Sequence, residues 1–203
     1  MTRSLRALVA TLAFVLAVIV PVQARADDTI KHPGDHPNYA VELEPHLVLG
    51  GYDNLFPGTG FGVGGRFSIP IVQNGFVPSI NNSVAITFGL DFLHYGSNCG
   101  YGPRDLTYSC SANYLYFPIA MQWNFFVAQK WSVFGEPGLF IYHGFFDSYC
   151  PPNPNGGCYD LGYTATSVRP AFYVGGRYHF NEKVSLTMRI GYPTISVGVS
   201  WFL

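Results

Sequence analysis

From Tyr39 to the end of the chain, apolar residues alternate with polar or small residues at a period of two. This spacing predicts β-strands, because successive side chains of a strand point to opposite faces. Segments rich in turn-forming residues divide the pattern into eight runs, at intervals suited to antiparallel hairpins. The predicted strands are about 39–52, 59–72, 84–95, 113–127, 131–144, 169–180, 184–192 and 194–203.

The two faces of these strands differ in a way that favours a membrane barrel. The polar face carries mostly Gly, Ser, Thr and Ala, whereas the exterior of a soluble protein usually mixes charges of both signs. Only 11% of the chain is charged, against about 25% in soluble domains. Small residues suit a narrow barrel interior, and large apolar residues suit lipid. The sequence therefore predicts an all-β fold, an eight-stranded antiparallel transmembrane β-barrel, over a soluble sandwich or a lipocalin-like barrel.

The first 26 residues have the order of charges and apolar residues found in a secretory signal peptide. Arg3 and Arg6 precede an apolar run over 7–20, and Ala24-Arg25-Ala26 supplies a small-x-small cleavage pattern. A membrane-anchoring helix would need about 20 apolar residues, and this run ends at Pro21. We therefore expect a signal peptide over 1–26, a periplasmic tail over 27–38, and an outer-membrane barrel over 39–203.

Composition and motifs exclude several other classes of function. Without Arg3, Arg6 and Arg25 of the leader, eight basic residues remain against 12 acidic ones, which disfavours a nucleic-acid partner. The chain carries no phosphate loop, dinucleotide fingerprint, zincin motif or nucleophile elbow. His32 and His36 are metal-ligand types without a third firm ligand, which favours a solvated tail. We predict no catalytic residue, metal or cofactor.

The connections between runs suggest an orientation. Outer-membrane barrels have short periplasmic turns and longer external loops. With a periplasmic N-terminus, 128–130 and 181–183 become short periplasmic turns, and 53–58, 96–112 and 145–168 become external loops. Two segments fit less well, because the first periplasmic turn, 73–83, is long and the last external connection, at Pro193, is very tight.

Two further features concern individual residues of the runs. Pro45, Pro118 and Pro137 fall inside predicted strands, where we expect bulges or interruptions, because proline cannot donate a ladder hydrogen bond. Aromatic residues near the strand ends fit girdles at the two membrane surfaces. These residues are Tyr95, Trp123, Phe125, Trp131, Tyr192 and Trp201.

The last run, Ile195-Ser196-Val197-Gly198-Val199-Ser200-Trp201-Phe202-Leu203, resembles the C-terminal strand of bacterial outer-membrane barrels. Together with the leader and the eight runs, it makes residues 39–203 similar to the small barrel family that includes outer-membrane proteins A and X. The chain departs from the family pattern by ending on Leu203 rather than on an aromatic residue. The resemblance implies contact with outer-membrane lipid, recognition of the last strand by the barrel assembly machinery, and a monomer. It carries no catalytic motif.

Charged residues on the inward parity predict an ion-pair network. Buried charges are tolerated when they are paired, and the planar guanidinium of Arg can hold two carboxylates. Because an eight-stranded interior is just filled by side chains, we expect this network to plug the barrel, with His46 and His179 nearby. The alternative is a small pore lined by the same residues. The residues are Glu42, Glu44, Arg66, Asp91, Glu136, Arg177 and Arg189.

Four cysteines lie in the two long predicted external loops. An exported chain with an even number of loop cysteines suggests disulfides, and of three possible pairings we favour Cys99–Cys110 and Cys150–Cys158, each within one hairpin. Zinc binding is less favoured, since the C-x-x-C spacing is absent. Such Tyr-rich, stapled loops would suit an envelope-structural or surface-contact role.

A second alternative is a lipid-modifying hydrolase at the barrel rim. His94 and His143 sit near the outer ends of their strands, with Ser97, Asp147 and Ser148 close in sequence. A catalytic triad is recognised by its geometry, and histidines at a membrane interface are often only boundary residues. The sequence therefore predicts no enzyme.

Overall fold

A computed structural model describes residues 28–50, 59–99, 108–146 and 163–203, and these residues form a closed barrel of eight antiparallel strands. Each strand pairs with its neighbours in sequence, and the last strand pairs with the first. The predicted fold class is thereby confirmed. A short 3-10 helix, Asp28–Lys31, precedes the barrel. The strands are β1 (Glu42–Gly50), β2 (Gly60–Val72), β3 (Asn82–Cys99), β4 (Tyr108–Ala128), β5 (Trp131–Phe146), β6 (Tyr163–Asn181), β7 (Val184–Tyr192) and β8 (Thr194–Phe202).

The barrel has two distinct ends. The N-terminal segment, the C-terminus and the turns β2–β3, β4–β5 and β6–β7 lie at one end, here the turn end; the opposite strand ends and the β7–β8 turn lie at the other end, here the loop end. In the described part of the chain, no helix is long and apolar enough to cross a membrane.

Strands on one side of the barrel are much longer than on the other. β3 to β6 have 16 to 21 residues, whereas β1, β7 and β8 have nine each. The predicted loops 96–112 and 145–168 are therefore too long. Strand β3 ends at Cys99, β4 begins at Tyr108 and β6 begins at Tyr163. Period-two patterning fails there because the extensions are rich in Ser, Thr, Asn and Gly on both faces.

The three prolines expected to interrupt strands each coincide with an interruption in one ladder. Pro45 lies in a gap of two pairs between β1 and β8, Pro118 in a similar gap between β3 and β4, and Pro137 in one between β4 and β5. The register is unchanged across every gap, so the prolines remove pairs without adding a bulge. The expected interruptions are confirmed, and the register shifts lie instead at the turn end of β2–β3, β4–β5 and β6–β7.

The long β2–β3 turn is held by one side chain. Asn82 Nδ2 donates hydrogen bonds to the carbonyls of Val77 and Ile80, at 2.8 and 2.7 Å, and Trp123 Nε1 donates to Asn82 Oδ1 at 2.9 Å. Gly75 in this turn adopts a φ of +54°, a conformation that favours glycine. The turn is thus ordered although it is longer than the other two.

Large apolar side chains cover the outside of the barrel. Leu47 is 68% exposed and Phe61 66% exposed, and the outward positions of the other strands follow the same pattern. At the turn end, outward aromatic rings contact each other, as in Trp131 with Tyr178 at 5.0 Å and Trp123 with Phe125 at 4.9 Å. Tyr95 was wrongly assigned to this outer set, because its ring points inward and is buried.

Candidate functional site

Arg189 on β7 lies at the centre of a buried network inside the barrel. Its Nη1 and Nη2 donate to the two carboxylate oxygens of Glu44 on β1, at 2.6 and 3.1 Å. Its Nε and Nη2 donate to those of Glu136 on β5, at 2.8 and 3.1 Å. One guanidinium therefore holds two carboxylates, and all three side chains are almost fully buried.

Arg177 on β6 forms a second part of the same network. Its Nη2 donates to both oxygens of Glu42, at 2.8 and 2.9 Å, and its Nη1 donates to Asn124 Oδ1 at 2.6 Å. The guanidinium carbon lies 4.5 Å from the centre of the Phe134 ring, in the position of a cation–π contact. Gln122 joins the two parts, because its Oε1 accepts from Arg177 at 3.0 Å and its Nε2 donates to Glu136 at 2.5 Å.

The third part joins β1, β2 and β3. Arg66 donates from Nη1 and Nη2 to the two oxygens of Asp91, at 2.7 and 3.0 Å. His46 Nε2 lies 2.9 Å from Asp91 Oδ1. The pair approaches this closely because Gly64 has no side chain: a Cβ there would fall 2.7 Å from His46 Nε2 and would overlap Asp91 Oδ1.

The hydrogen bonds of His46 complete the charge balance of the interior. Its Nδ1 faces two more acceptors, the Glu44 backbone oxygen at 3.3 Å and Glu44 Oε1 at 3.5 Å. Both ring nitrogens therefore face oxygen acceptors, which is the pattern of an imidazolium. Four carboxylates then meet three guanidiniums and one imidazolium.

The structure brings together all seven residues predicted from the inward parity, and every strand contributes to the network. β4 contributes Gln122 and Asn124, and β8 contributes Ser200, whose hydroxyl donates to Glu44 Oε2 at 3.3 Å. The sequence analysis includes only charged residues in the network, so Gln122, Asn124 and Ser200 are missing from that prediction. Their inward parity was the available signal, since a neutral polar side chain beside buried charges completes hydrogen bonds that the charges leave open.

Aromatic side chains fill the interior nearer the loop end. Tyr95, Tyr114, Tyr116 and Tyr142 are buried beside Phe140, and their rings contact each other at 5.3 to 6.2 Å. Glycine at position 60 leaves space for the Tyr95 ring, because a Cβ there would fall 2.5 Å from it. These residues lie within the predicted strands, but only small and charged side chains were expected in the interior, and Tyr95 was expected in an outer girdle, so this layer was not predicted.

The N-terminal segment closes the turn end. Residues 27–38 were expected to form a solvated tail, but part of this segment contacts the turn end of the barrel. Asn81 N donates to the Ile30 carbonyl at 2.7 Å, and the His36 ring stacks on Phe126 at 4.6 Å. The Tyr39 ring contacts Phe202 at 4.8 Å, and burial, with Glu42 nearby, raises the pKa of the Tyr39 phenol.

The rim histidines pair with neutral side chains on the outer face. His94 Nδ1 lies 2.8 Å from Asn113 Oδ1, and His143 Nδ1 lies 2.6 Å from Thr166 Oγ1. Asp147 and Ser148, their suggested partners in sequence, lie outside the described residues, and of Ser97 the structure describes only the backbone. Within the described ranges, no group of three or more His, Cys, Asp or Glu side chains is placed to hold a metal ion.

Cys99 and Cys110 fall at the loop end. Cys99 ends β3 opposite Tyr108, and Cys110 lies in β4 opposite Ser97, so the two are offset by two residues on adjacent strands. Cys150 and Cys158 lie outside the described residues. The structure thus places Cys99 and Cys110 in strand ends rather than in a loop.

Comparison with solved structures finds small eight-stranded outer-membrane β-barrels. The crystal structure of Ail, the attachment invasion locus protein of Yersinia pestis, is 9% identical with a TM-score of 0.49, and the match covers 83% of this chain and 99% of Ail. That of Neisserial surface protein A is 14% identical with a TM-score of 0.46, covering 80% of this chain and 96% of that one. No protein-family model and no curated protein matches the sequence.

Proposed function

We propose that this chain is an integral barrel of the bacterial outer membrane, with the turn end in the periplasm and the loop end outside the cell. The observation that carries this proposal is the inverted polarity of the barrel. Seven charged side chains of its strands are buried inside, and large apolar side chains are exposed outside. Strands β1, β7 and β8, of nine residues each, match the length that crosses a bilayer, about 9 to 11 residues. Lipid is then the principal partner, and the barrel is a monomer.

We also propose that the interior of this barrel is closed to ions. Three layers support a plugged lumen: the aromatic layer near the loop end, the ion-pair network, and the N-terminal segment under the turn end. An eight-stranded barrel has an interior that side chains can just fill. Without a water-filled path, the molecule cannot act as a pore, and we assign it no catalytic role.

Its function is then envelope structure or surface contact at the loop end. Support comes from the long strands β3 to β6, which extend past the ends of β7 and β8. Past Phe172, β6 continues for nine residues, Tyr163–Ala171, without pairing to β7. These extensions would place the loop-end residues of β3 to β6 beyond the membrane surface. The assembly machinery would read β8, whose outward positions are Ile195, Val197, Val199 and Trp201.

Single-channel conductance tests this function. The chain is reconstituted in a planar bilayer after its folding has been checked by heat-dependent gel mobility. We expect no steady current from folded protein. A steady current that changes when Glu136 or Arg177 is neutralised would overturn the plugged lumen and make the protein a small pore.

We further propose that the protein forms two disulfides, Cys99–Cys110 and Cys150–Cys158. Cys99 and Cys110 lie on adjacent paired strands, and residues 100–107 separate these strands in the sequence. Mass spectrometry of peptides from the unreduced protein should show both pairs. A peptide that links Cys99 to Cys150 or to Cys158 would contradict the pairing.

A further inference from the structure

A polar cleft lies at the turn end, between the N-terminal segment and two turns. It has a volume of about 460 Å³ and is lined by Thr29 and residues 34–38, 129–130 and 179–182. This volume is within the range of small-molecule sites, about 300 to 1,000 Å³. We call it the turn-end cleft. It is separate from the ion-pair network, with which it shares no residue.

Hydrogen bonds fix the wall of the turn-end cleft that the N-terminal segment provides. Asn81 Nδ2 donates to the Asp35 carbonyl at 2.6 Å, and His36 Nε2 lies 2.9 Å from the Gln73 carbonyl oxygen. The His36 ring also stacks on Phe126. Because this wall is attached to the barrel at several points, the cleft is formed before any ligand enters, which lowers the entropic cost of binding.

Charges of both signs line the turn-end cleft without pairing. Asp35 belongs to the N-terminal segment, Lys130 to the β4–β5 turn and Glu182 to the β6–β7 turn. Among the described residues, none of these three side chains takes part in an ion pair. An anion would meet two carboxylates, and a simple cation would meet Lys130. A ligand that carries both charges would satisfy all three.

One buried ring nitrogen in the lining is left without a hydrogen bond by the described residues. His179 is only 6% exposed and its Nε2 lies 2.9 Å from Ser132 Oγ, whereas its Nδ1 has no partner in the part of the chain that the structure describes. A buried polar atom without a partner is costly, so a ligand or an ordered water near it gains a hydrogen bond that the protein alone does not make.

A smaller cavity of about 230 Å³ extends the turn-end cleft. It shares Pro37, Asn38 and Glu182 with the cleft and continues toward Lys183 and Phe202. Because they share these residues, the two cavities adjoin each other at the N-terminal segment. Two adjoining cavities suit a molecule of more than one residue better than a single amino acid.

We propose that the turn-end cleft binds a short zwitterionic peptide with free amino and carboxyl groups. The ammonium group lies by Asp35 and Glu182, and the carboxylate lies by Lys130. Binding in this cleft does not require that the chain lie in a membrane, since the cleft is formed by the N-terminal segment and the turns, beyond the apolar outer face of the strands.

The test uses the full chain in detergent micelles, titrated with the tripeptide Ala-Ala-Ala and followed by NMR chemical shifts. The control ligand is acetyl-Ala-Ala-Ala-amide, which lacks both charges. We expect saturable shifts with the free peptide, and binding about ten-fold weaker for the blocked one, since each lost charged hydrogen bond costs at least that factor. No saturation with the free peptide, or equal affinity for both, would overturn the proposal.

Two variants show whether the binding is at the cleft. Lys130→Gln and Glu182→Gln lie in exposed turns, so the barrel should fold, and each should weaken binding of the free peptide about ten-fold. Arg169→Gln is the matched control, because it removes a charge at the loop end, where Arg169 lies 5.3 Å from the Tyr142 ring. Equal affinity in Lys130→Gln, or an equal loss in Arg169→Gln, would contradict the assignment.

Discussion

Arg177 and Glu42 form a bidentate contact across the barrel, from β6 to β1, in which one nitrogen donates to both carboxylate oxygens at 2.8 and 2.9 Å. The two residues are 135 positions apart in the sequence. Both side chains are 1% exposed, so neither charge is compensated by water. Such a pair is costly to break from one side only.

Replacing Arg177 with Met should therefore destabilise the barrel by about 3 to 5 kcal/mol, because it leaves the Glu42 carboxylate buried without its cation. Unfolding in urea, followed by gel mobility without heating, measures the change. The double variant Arg177→Met with Glu42→Gln should recover a large part of the loss. A single variant as stable as the wild-type chain, or a double variant no better than the single one, would contradict the network.

Arg189→Met should cost more stability than Arg66→Met. Arg189 holds the two carboxylates of Glu44 and Glu136, whereas Arg66 holds only Asp91, which keeps His46 as a second partner. Without Arg189, Glu136 has no cation among the described side chains and Glu44 keeps only the longer contact to His46 Nδ1, at 3.5 Å, whereas without Arg66, Asp91 keeps His46 Nε2 at 2.9 Å. The midpoints of urea unfolding of the two variants, measured side by side, check the order, and the opposite order would refute this reading.

Gly64→Ala should destabilise the barrel by about 1 to 3 kcal/mol, the usual cost of adding a methyl group to a filled interior. The new Cβ would overlap the Asp91 carboxylate and lie 2.7 Å from His46 Nε2. Gly135→Ala is the matched control, since a Cβ there has nothing within 4 Å. The same denaturation measurement applies, and an equal effect of the two changes would show that Gly64 is not needed for the close approach.

The membrane proposal predicts that all three tryptophans contact lipid. Trp131 and Trp201 are 48% and 41% exposed, and Trp123 packs on Phe125 on the same outer face. Single-tryptophan variants in vesicles with brominated lipids should show fluorescence quenching that is strongest for bromine near the headgroups, because the rings lie at the turn end of the apolar band. Quenching no greater than for a water-soluble protein would contradict insertion.

Sequence periodicity predicted the barrel and its two faces because the alternation of side chains is a local property of a strand. All eight strands were found, and β7 was predicted over its observed range, 184–192. The partners of Arg177 and Arg189 could not be derived in the same way. Parity indicates which side chains point inward, but it does not give their position along the barrel axis. That position depends on strand tilt and register, which are fixed by pairing around the whole closed sheet.

The same limit explains the N-terminal segment. Its composition, with Pro33, Gly34 and Pro37, is that of a solvated chain, and the contacts that hold it come from Asn81, Phe126 and Phe202 on three separate parts of the barrel. Local sequence carries no record of such partners. The tyrosine layer was missed for a different reason, because only small and charged side chains were expected on the inward face of the predicted strands, and Tyr95 was expected in an outer girdle.

The long spans of the ion pairs bear on the order in which the molecule is built. Glu42 and Glu44 belong to the first strand, and the cations that neutralise them belong to the sixth and seventh. A chain whose first and last strands have not yet met would expose both acids to hydrocarbon or leave them in a half-formed interior, at a cost of several kcal/mol for each. Closure of the seam between β1 and β8 and neutralisation of the interior are therefore completed together, and an incompletely inserted barrel gains little from the network that stabilises the finished one.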